Sequence, residues 1–447
     1  MERPARPATN VAALLATLTL TLALAACGVT KPKNPDGGPD GGDASGQAGT
    51  SGGAGTTGQA GTTGQAGTTG AAGDEGVDGG TDADAEAPDV PPRDDAAAGQ
   101  VFTCSTEAPD AGSATVRADD VKFMLNVNVT TIAGSDMRGD MDGTADEARF
   151  ANPVSVIIDP SGDLVVCDFD NNALRRISMP NGTVTVSTLT KQENFQRPYG
   201  MLLIGGTLYV DTDYNHNGSK SNITGTIWQV DGATGMATVV GPNLGRPRGL
   251  AALNDGRIVL GDYQNGRIRI LDPATSTVSD LAGNPGCHGF GDGKGTSAYF
   301  GVPYGVAVLP SGLIMVADAS NHRIRAVTTE GVVTTYAGDG GEGTIDGARL
   351  QARFVWPSGL AVDAAGQLFV TDQQTHRIRR IAVDGTVTTV AGDGTGGHRD
   401  GPGDQARFFG VEGIAVSADG KTLYVADGTQ GEDTNAYHYI RKIVIGP

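Results

Sequence analysis

Three oxygen-bearing side chains at alternate positions, followed by a glycine, open the segment from Asp213 to Gly218. With Asn215 and Asn217, Asp213 matches the first half of a calcium-binding loop, in which alternate oxygens face one hard cation. The twelfth position would be Thr224, where such loops normally have a glutamate that binds the ion with both oxygens. The pattern makes calcium the candidate cofactor; the alternative is a polar surface loop that holds no ion.

A second set of candidate residues lies at the start of six apolar strands, each in a Pro-x-Gly-like pattern. In chain order the variable residues are Val154, Tyr199, Arg248, Tyr304, Ser358 and Glu412. An arginine between two tyrosines can grip a carboxylate or phosphate with two parallel hydrogen bonds, and the phenol rings offer stacking faces for a sugar or aromatic group. We expect a small ligand to bind at the last five of these residues, with its anionic end on Arg248. The alternative is that they fill this end of the fold for stability.

A repeat of 45 to 56 residues positions these side chains. The stretch ADASNHRIRAV returns as TDQQTHRIRRI and as CDFDNNALRRI, and an aspartate ends the second strand of most repeats. In four repeats this aspartate follows the starting proline by fifteen residues, namely Asp168, Asp262, Asp318 and Asp372. Short β-branched runs cut by turn residues predict four strands per repeat, and repeats of this length are typical of β-propeller blades.

These motifs resemble the NHL repeat family, which is named for the Asn-His-Leu form of the Asn-His-Arg element seen here. The resemblance covers residues 121–445 and implies an all-β, six-bladed β-propeller. The sixth repeat has no outer strand of its own, whereas VTTIAG (Val129 to Gly134) has no repeat before it. We therefore expect the N-terminal segment to supply the outer strand of the last blade and to close the ring. Inner strands would line a central channel and place the Pro-x-Gly side chains around its mouth.

Departures from the family pattern bear on function. The second repeat carries the insertion NHNGSKSNITG, and Val411 replaces the sixth proline. The amidating lyases of this family bind zinc through histidines at Pro-His positions, and this chain has none at those places. The remaining repeated residues are expected to be structural: the strand-ending aspartates accept backbone N–H groups, Asp-Gly pairs lie eight residues before a phenylalanine at a turn, and the arginines of Arg-Ile-Arg pair with acids at the rim and between blades.

The N-terminal part is expected to direct export. Residues 1–26 have a basic start and a short apolar run, as signal peptides do, and the sequence LAAC resembles a bacterial lipoprotein signal that implies acylation of Cys27. Residues 27–115 are predicted to be a lipidated cysteine and a disordered linker rich in Gly, Thr, Ala and Asp, and residues 116–447 the propeller. We expect an exported protein anchored to the bacterial envelope, at the outer membrane on its periplasmic side or the cell surface. The alternative is an ordinary secretory signal.

The net charge limits the kinds of partner, and the cysteines offer one candidate disulfide. The formal net charge of −19 argues against nucleic acid, because phosphate binding needs a basic surface. Cys104 and Cys287 are candidates for a disulfide in an oxidising compartment, and Cys167 is expected to be a small core residue. The leading hypothesis is a monomeric, non-enzymatic binding module, held at the envelope by its lipid anchor alone, that recognises a protein, peptide or glycan. The alternatives are a propeller enzyme, a lyase or hydrolase acting at the channel mouth, and a structural scaffold.

Overall fold

The computed structural model describes residues 119–219, 224–241, 243–429 and 437–447. Over these residues the chain forms six antiparallel sheets and no α-helix, so the predicted all-β, six-bladed β-propeller is confirmed. The predicted signal peptide, the disordered linker, the lipidation of Cys27 and the position of Cys104 lie outside the described residues. Short 3₁₀ turns occur at Pro180–Gly182, Tyr263–Asn265, Gly295–Ser297 and Ala319–Asn321.

Each blade has four antiparallel strands, which we number from the centre outward. The first strands are Pro153–Ile158, Pro198–Ile204, Pro247–Ala252, Pro303–Val308, Pro357–Val362 and Gly410–Val416. The second strands are Leu164–Asp168, Thr207–Thr212, Ile258–Asp262, Ile314–Asp318, Leu368–Asp372 and Thr422–Gly428. The third strands are Ala173–Ser178, Thr226–Val230, Arg267–Asp272, Arg323–Val327, Arg377–Ile381 and His438–Ile445. The fourth strands of blades one to five are Thr185–Thr190, Ala237–Gly241, Thr277–Ala282, Val332–Ala337 and Thr386–Ala391.

Four blades carry an additional two-residue strand on the outer edge. These strands are Gly143–Thr144 in blade one, Gly293–Lys294 in blade four, Gly347–Ala348 in blade five and Gly401–Pro402 in blade six. In the part of the chain that the structure describes, blades two and three have four strands only. Among the described residues, blade two, which carries the insertion, is thus one of the two blades with four strands, whereas blade six, in which Val411 replaces the proline, has the additional strand.

The N-terminal segment closes the ring, as expected from the sequence. Val127–Ser135 is the fourth strand of blade six and pairs with the third strand from Val127 opposite Ile445 to Ser135 opposite His438. The residues just before it also follow the edge of blade five, which the sequence did not predict. There the Asp120 N–H donates to the Thr344 carbonyl at 2.9 Å, and the Met124 N–H donates to the Thr389 carbonyl at 2.8 Å. One segment thus ties two blades together.

The first strands pack side by side around a central channel, each against the first strand of the next blade. The glycine of the Pro-x-Gly pattern permits this close approach. A Cβ atom at Gly305 would lie 2.2 Å from the Ser358 carbonyl oxygen, and one at Gly359 would lie 2.1 Å from that of Glu412. The motif therefore sets the spacing between blades and leaves the residue before the glycine at the channel.

A fully buried arginine on the third strand stabilises four blades; these are Arg175, Arg325, Arg379 and Arg441. Arg325 donates to the strand-ending Asp318 at 2.8 Å and to Asp292 of the Asp-Gly pair at 2.6 Å, and its guanidinium lies over the Phe300 ring, 5.4 Å from the centroid. Asp318 also accepts the Gly301 N–H at 2.8 Å, a backbone group that precedes it by 17 residues rather than one from the turn that follows it. The repeat arginines pair with acids, as predicted, but these four are fully buried inside the blade and not at the rim, and two acids and backbone carbonyls accept from each of them.

The described cysteines differ in state. Cys167 is a free, buried thiol, as predicted for a small core residue. Cys287 is buried and disulfide-bonded. Because Cys104 lies outside the described residues, its pairing with Cys287 stays a prediction.

Candidate ligand site at the channel mouth

The structure brings the predicted Pro-x-Gly side chains together at one end of the channel. Tyr199, Arg248, Tyr304, Ser358 and Glu412, with Val154, line a single cavity of about 90 Å³. We call these six residues the channel mouth. Each lies on the first strand of a different blade, which is why residues up to about 250 positions apart in the sequence meet. Tyr304 is half-buried and the others are buried.

One side of the channel mouth is a hydrogen-bonded chain of two phenols and a carboxyl group. The Tyr199 hydroxyl donates to Glu412 and lies 2.5 Å from the Tyr304 hydroxyl. The Gln373 side-chain amide donates to the other Glu412 oxygen at 3.1 Å. Burial raises the pKa of Glu412 to about 7, against the hydrogen bond from Tyr199 and the charge of Arg248, which lower it. Glu412 therefore exchanges a proton near neutral pH.

The opposite side is an arginine pair that shares one carboxylate. Arg248 donates to the two Asp213 oxygens at 2.7 and 3.2 Å, and Arg246 donates to Asp213 at 3.0 Å. Burial would raise the pKa of Asp213, but the charges of Arg248 and Arg246 outweigh it and hold this pKa below its usual value. The Arg248 guanidinium also lies 4.0 Å from the Tyr199 ring centroid, a cation–π contact. Two guanidinium groups facing one carboxylate leave one positive charge over.

Ser358 holds a different place in the channel mouth. It is fully buried, and its hydroxyl lies 2.8 Å from the hydroxyl of Thr371 on the second strand of the same blade. The Thr371 hydroxyl in turn donates to the Glu412 carbonyl at 2.7 Å and accepts the Gly359 N–H at 2.6 Å. Ser358 therefore contributes to the junction of blades five and six as well as to the cavity wall.

The residues of the candidate calcium loop do not converge on one point. Asp213 directs both oxygens to arginines, the Asn215 amide donates to the Asn243 side chain at 2.8 Å, and Asn217 accepts the Ser219 N–H at 3.0 Å. A divalent cation at Asp213 would stand beside two guanidinium groups. Among the described residues no three His, Cys, Asp or Glu side chains are grouped in a way that could hold a metal. These contacts of the described side chains argue against calcium at this loop, and a calcium titration tests the point.

The sequence analysis missed a second tier of residues, those immediately before the prolines of the first strands. Arg246 is one of them; its side chain is 16% exposed and lies over the Tyr263 ring at 5.6 Å. Arg197 and Trp356 are two others, and both have positive φ angles, of 53° and 57°. Such backbone is uncommon for residues other than glycine and clusters at functional sites. The pre-proline position repeats as regularly as the Pro-x-Gly position, so the signal was present in the sequence.

Blades two and three, which supply Tyr199, Arg248 and the Asp213 carboxylate, lack the buried-arginine pattern of the other four blades. In blade two, Thr212 replaces the strand-ending aspartate and accepts a 2.9 Å hydrogen bond from Trp228, which stands where other blades have the arginine. In blade three, Arg269 is partly exposed and bonds to Asp280 at 3.0 Å. Asp211 of blade two is fully buried, and burial raises its pKa well above the usual value. The two blades that lack the buried arginine are thus the blades that carry the arginine pair and its shared carboxylate.

A family model described as NHL repeat matches residues 300–326 and 354–381, which lie in blades four and five. Protein SUPPRESSOR OF QUENCHING 1, chloroplastic, of Arabidopsis thaliana is 27% identical over 285 residues, which are 57% of this chain and 27% of that protein. NHL repeat-containing protein 2 of Bos taurus is 28% identical over 219 residues, 40% of this chain and 29% of that protein. This chain thus spans less than a third of the length of these curated relatives. The predicted NHL repeats are confirmed.

Two solved structures share the fold. An auxiliary nutrient binding protein of Bacteroides ovatus aligns with a TM-score of 0.56 and 22% identity, over 72% of this chain and 77% of that chain. A second auxiliary nutrient binding protein, of Bacteroides thetaiotaomicron, aligns with a TM-score of 0.56 and 20% identity, over 71% and 76%. At this identity the likeness extends to the fold alone. A search of the described residues for a helix long and apolar enough to cross a membrane found none.

Proposed function

Since this chain is a six-bladed β-propeller with NHL repeats, we propose that it is a non-enzymatic binding module that takes its ligand at the channel mouth. The observation that carries the proposal is the arginine pair: Arg246 and Arg248 share the single carboxylate of Asp213 beneath a surface of tyrosine rings. The ligand is an anionic group of a small molecule, peptide, protein or glycan. We place the protein at the bacterial envelope, exported and anchored through Cys27.

The charge of the arginine pair selects the ligand. In the buried mouth a lone positive charge is poorly solvated, and a carboxylate or phosphate brought by a ligand would compensate it. Arg246 is the accessible member, because 16% of its side chain is exposed while Arg248 has 7%. An anion that approaches from solvent therefore meets Arg246 first, which adds Arg246 to the sequence-based hypothesis that the anionic end of the ligand lies on Arg248.

The aromatic rings beside the arginine pair suit a planar or ring-shaped ligand. Tyr263 and Tyr304 are half-buried and meet edge to face, with ring centroids 5.6 Å apart. Tyr199 and Tyr304 meet in the same way at 5.8 Å. Rings that present both faces and hydroxyl groups are common where sugars and aromatic groups bind. The nutrient-binding role of the two Bacteroides proteins with this fold agrees with such a function.

A panel of glycans, peptides and small organic anions tests the proposal, by calorimetric titration of the full-length protein. Arg246→Met should weaken binding of the anionic ligand by about 10- to 100-fold, since a hydrogen bond to a charged group contributes about 1.5–3 kcal/mol. Arg349→Met is the matched control: Arg349 is exposed and also stacks on a tyrosine, Tyr336, at 4.6 Å, but lies away from the mouth. Equal effects of both variants, or binding that survives Arg246→Met, would contradict the proposed site.

The role of Arg248 needs a paired variant. Arg248→Met alone would leave the Asp213 carboxylate buried without one of its cations, which destabilises the fold. The double variant Asp213→Asn/Arg248→Met removes both charges together. We expect it to fold and to bind the anionic ligand more weakly than the wild type. Unchanged affinity in the double variant would assign anion binding to Arg246 alone.

One observation favours the alternative of a lyase or hydrolase. Glu412 has a pKa of about 7 and bonds to two phenols in series through Tyr199, as a general acid or base could. If the protein were an enzyme of this kind, Glu412→Gln would abolish turnover of a bound ligand but preserve its binding. Recovery of every bound ligand unchanged from the wild-type protein supports the binding module instead.

A further inference from the structure

Below the channel mouth the same cavity becomes apolar. Its wall there includes the residues two positions after those of the channel mouth, Val156 among them. We call the other five the apolar waist: Met201, Leu250, Val306, Leu360 and Ile414. Four of these side chains are 5–8% exposed and Leu360 is half-buried, so they border the cavity while most of their surface packs between blades. The cavity therefore has a polar end and an apolar end.

The size of the cavity limits what can enter it. Its volume is about 90 Å³. An apolar cavity of about 150 Å³ in a protein core accommodates benzene, and a single water needs about 10–15 Å³. The space is thus smaller than a benzene site but larger than a water site. It fits a chain of roughly three to five carbon atoms by the same comparison.

The polar end of the cavity offers a hydrogen-bond donor to an anion. Arg248 lines it, and its Nε–H is buried with no hydrogen-bond partner among the described residues. A buried donor without an acceptor is costly, so such a group in a native protein calls for an explanation. The Tyr304 side chain lines the same end, but its hydroxyl proton is engaged with the Tyr199 hydroxyl, which itself donates to Glu412. A carboxylate placed here would accept from the Arg248 Nε–H and compensate the charge left over by the arginine pair.

We propose that the cavity binds a short-chain monocarboxylate of three to five carbons. Its carboxylate lies at Arg248, beside the Tyr304 side chain, and its alkyl chain extends into the apolar waist. The inference rests on the proposed function, because it names the ligand class of the same channel mouth. It adds a requirement that anion binding alone does not have, namely a match between chain length and the depth of the waist.

A homologous series tests the chain-length requirement. Acetate, propionate, butyrate, valerate and octanoate are titrated into the full-length protein, with butyramide as an uncharged isostere of butyrate. Affinity should rise about fourfold per methylene as far as butyrate or valerate, the value expected for burying one methylene, and octanoate should bind at least tenfold more weakly than the best ligand. Butyramide should bind at least tenfold more weakly than butyrate. Affinity that does not depend on chain length would overturn the proposal.

Substitutions in the apolar waist give a second test. Leu360→Phe fills the cavity and should weaken butyrate at least tenfold while leaving acetate unchanged. Leu350→Phe is the matched control, since Leu350 is 54% exposed on a loop. Leu360→Ala enlarges the waist and should move the preferred chain length upward by one or two carbons, and it keeps the test valid if Leu360→Phe does not fold. An unchanged preference in Leu360→Ala contradicts the proposal.

Failure of this inference and failure of the proposed function give different results. If a glycan, peptide or other anion binds with a dependence on Arg246 but the carboxylate series shows no length preference, the binding module stands and the short-chain ligand is wrong. If no carboxylate binds and no ligand of the wider panel depends on Arg246, both are wrong.

Discussion

Replacing one buried repeat arginine should destabilise the propeller far more than replacing its partly exposed counterpart. Arg325 is fully buried and donates to Asp318, Asp292, the Gly291 carbonyl and the Tyr299 carbonyl at 2.6–3.1 Å. In Arg325→Met, Asp318 stays buried without its cation. Removing one partner of a buried ion pair costs about 3–5 kcal/mol. Asp292 adds little, because its side chain is 49% exposed and water can replace the arginine.

Blade three provides the matched control. Arg269 occupies the same strand position, but its side chain is 14% exposed and its partner Asp280 is 41% exposed. The buried Asp262 next to it keeps its hydrogen bonds from Arg267 and Asn265 when Arg269 is removed. Arg269→Met should therefore cost about 1 kcal/mol or less.

The assay is equilibrium urea unfolding of wild type and both variants, followed by the fluorescence of the two tryptophans, Trp228 and Trp356. Asp318→Asn/Arg325→Met should recover part of the lost free energy of unfolding, because the buried carboxylate then carries no charge; the double-mutant cycle isolates this coupling. A loss below 1 kcal/mol in Arg325→Met, or equal losses at Arg325 and Arg269, would refute the view that the buried ion pair stabilises the blade.

Four further predictions concern other parts of the molecule. Deleting residues 101–134 removes the closing strand and should cause aggregation in size-exclusion chromatography, whereas a monomer with an unaltered melting temperature would show that the ring closes otherwise. The melting temperature should be the same with calcium as with a chelator, because the oxygens of the candidate calcium loop already bond to other protein groups. A rise with calcium that Asp213→Ala abolishes would instead support calcium binding by this loop. Burial raises the pKa of Asp211 in the folded protein, so the contribution of this residue to stability should fall as pH rises above about 4, where it ionises in the unfolded chain only. Urea unfolding from pH 4 to 8 should therefore show Asp211→Asn becoming more stable relative to wild type as pH rises, and a difference that does not change with pH would contradict this. Cys27→Ser should release the protein from membranes or leave its signal peptide uncleaved. An unchanged membrane fraction and an unchanged mass of the mature protein would contradict the lipid anchor.

The fold was predictable because every blade repeats the same strand and turn pattern, and the site was predictable only where it follows the repeat. Tyr199, Tyr304 and Glu412 were found together because the Pro-x-Gly position recurs in each blade. The carboxylate partner of Arg248 lies 35 residues away, just before the insertion of blade two, and no spacing in the repeat links the two positions. The alternate spacing of Asp213, Asn215 and Asn217 is the same whether Asp213 pairs with arginines or binds a metal cation, so the sequence could not distinguish the two.

The buried arginines show a different limit. In Arg-Ile-Arg the alternation predicts isoleucine inside and arginine outside, as in a sheet with one face in water. Each blade instead packs against a neighbour on both faces, so either set of alternating side chains can be buried. Arg325 and Ile324 are both fully buried for this reason. Arg325 pairs with Asp318 seven residues earlier and with Asp292 of an Asp-Gly turn 33 residues earlier, and at the second distance sequence periodicity does not identify a partner.

The route of the N-terminal segment sets the order in which the propeller can assemble. Val127 pairs with Ile445, 318 residues later, so the last hydrogen-bonded ladder must wait until the first and last strands of the propeller meet, and such non-local pairing folds slowly. Until then Val127–Ser135 is an unpaired strand edge at risk of joining another chain. The residues before it, however, bond to Thr344 and Thr389, both of which belong to blade five and precede blade six in the chain. Blade five can therefore act as a template that binds Asp120–Met124 first and holds the closing strand beside the place where blade six forms. The closing strand then has to find its partner strand only in the neighbouring blade and not along the whole chain.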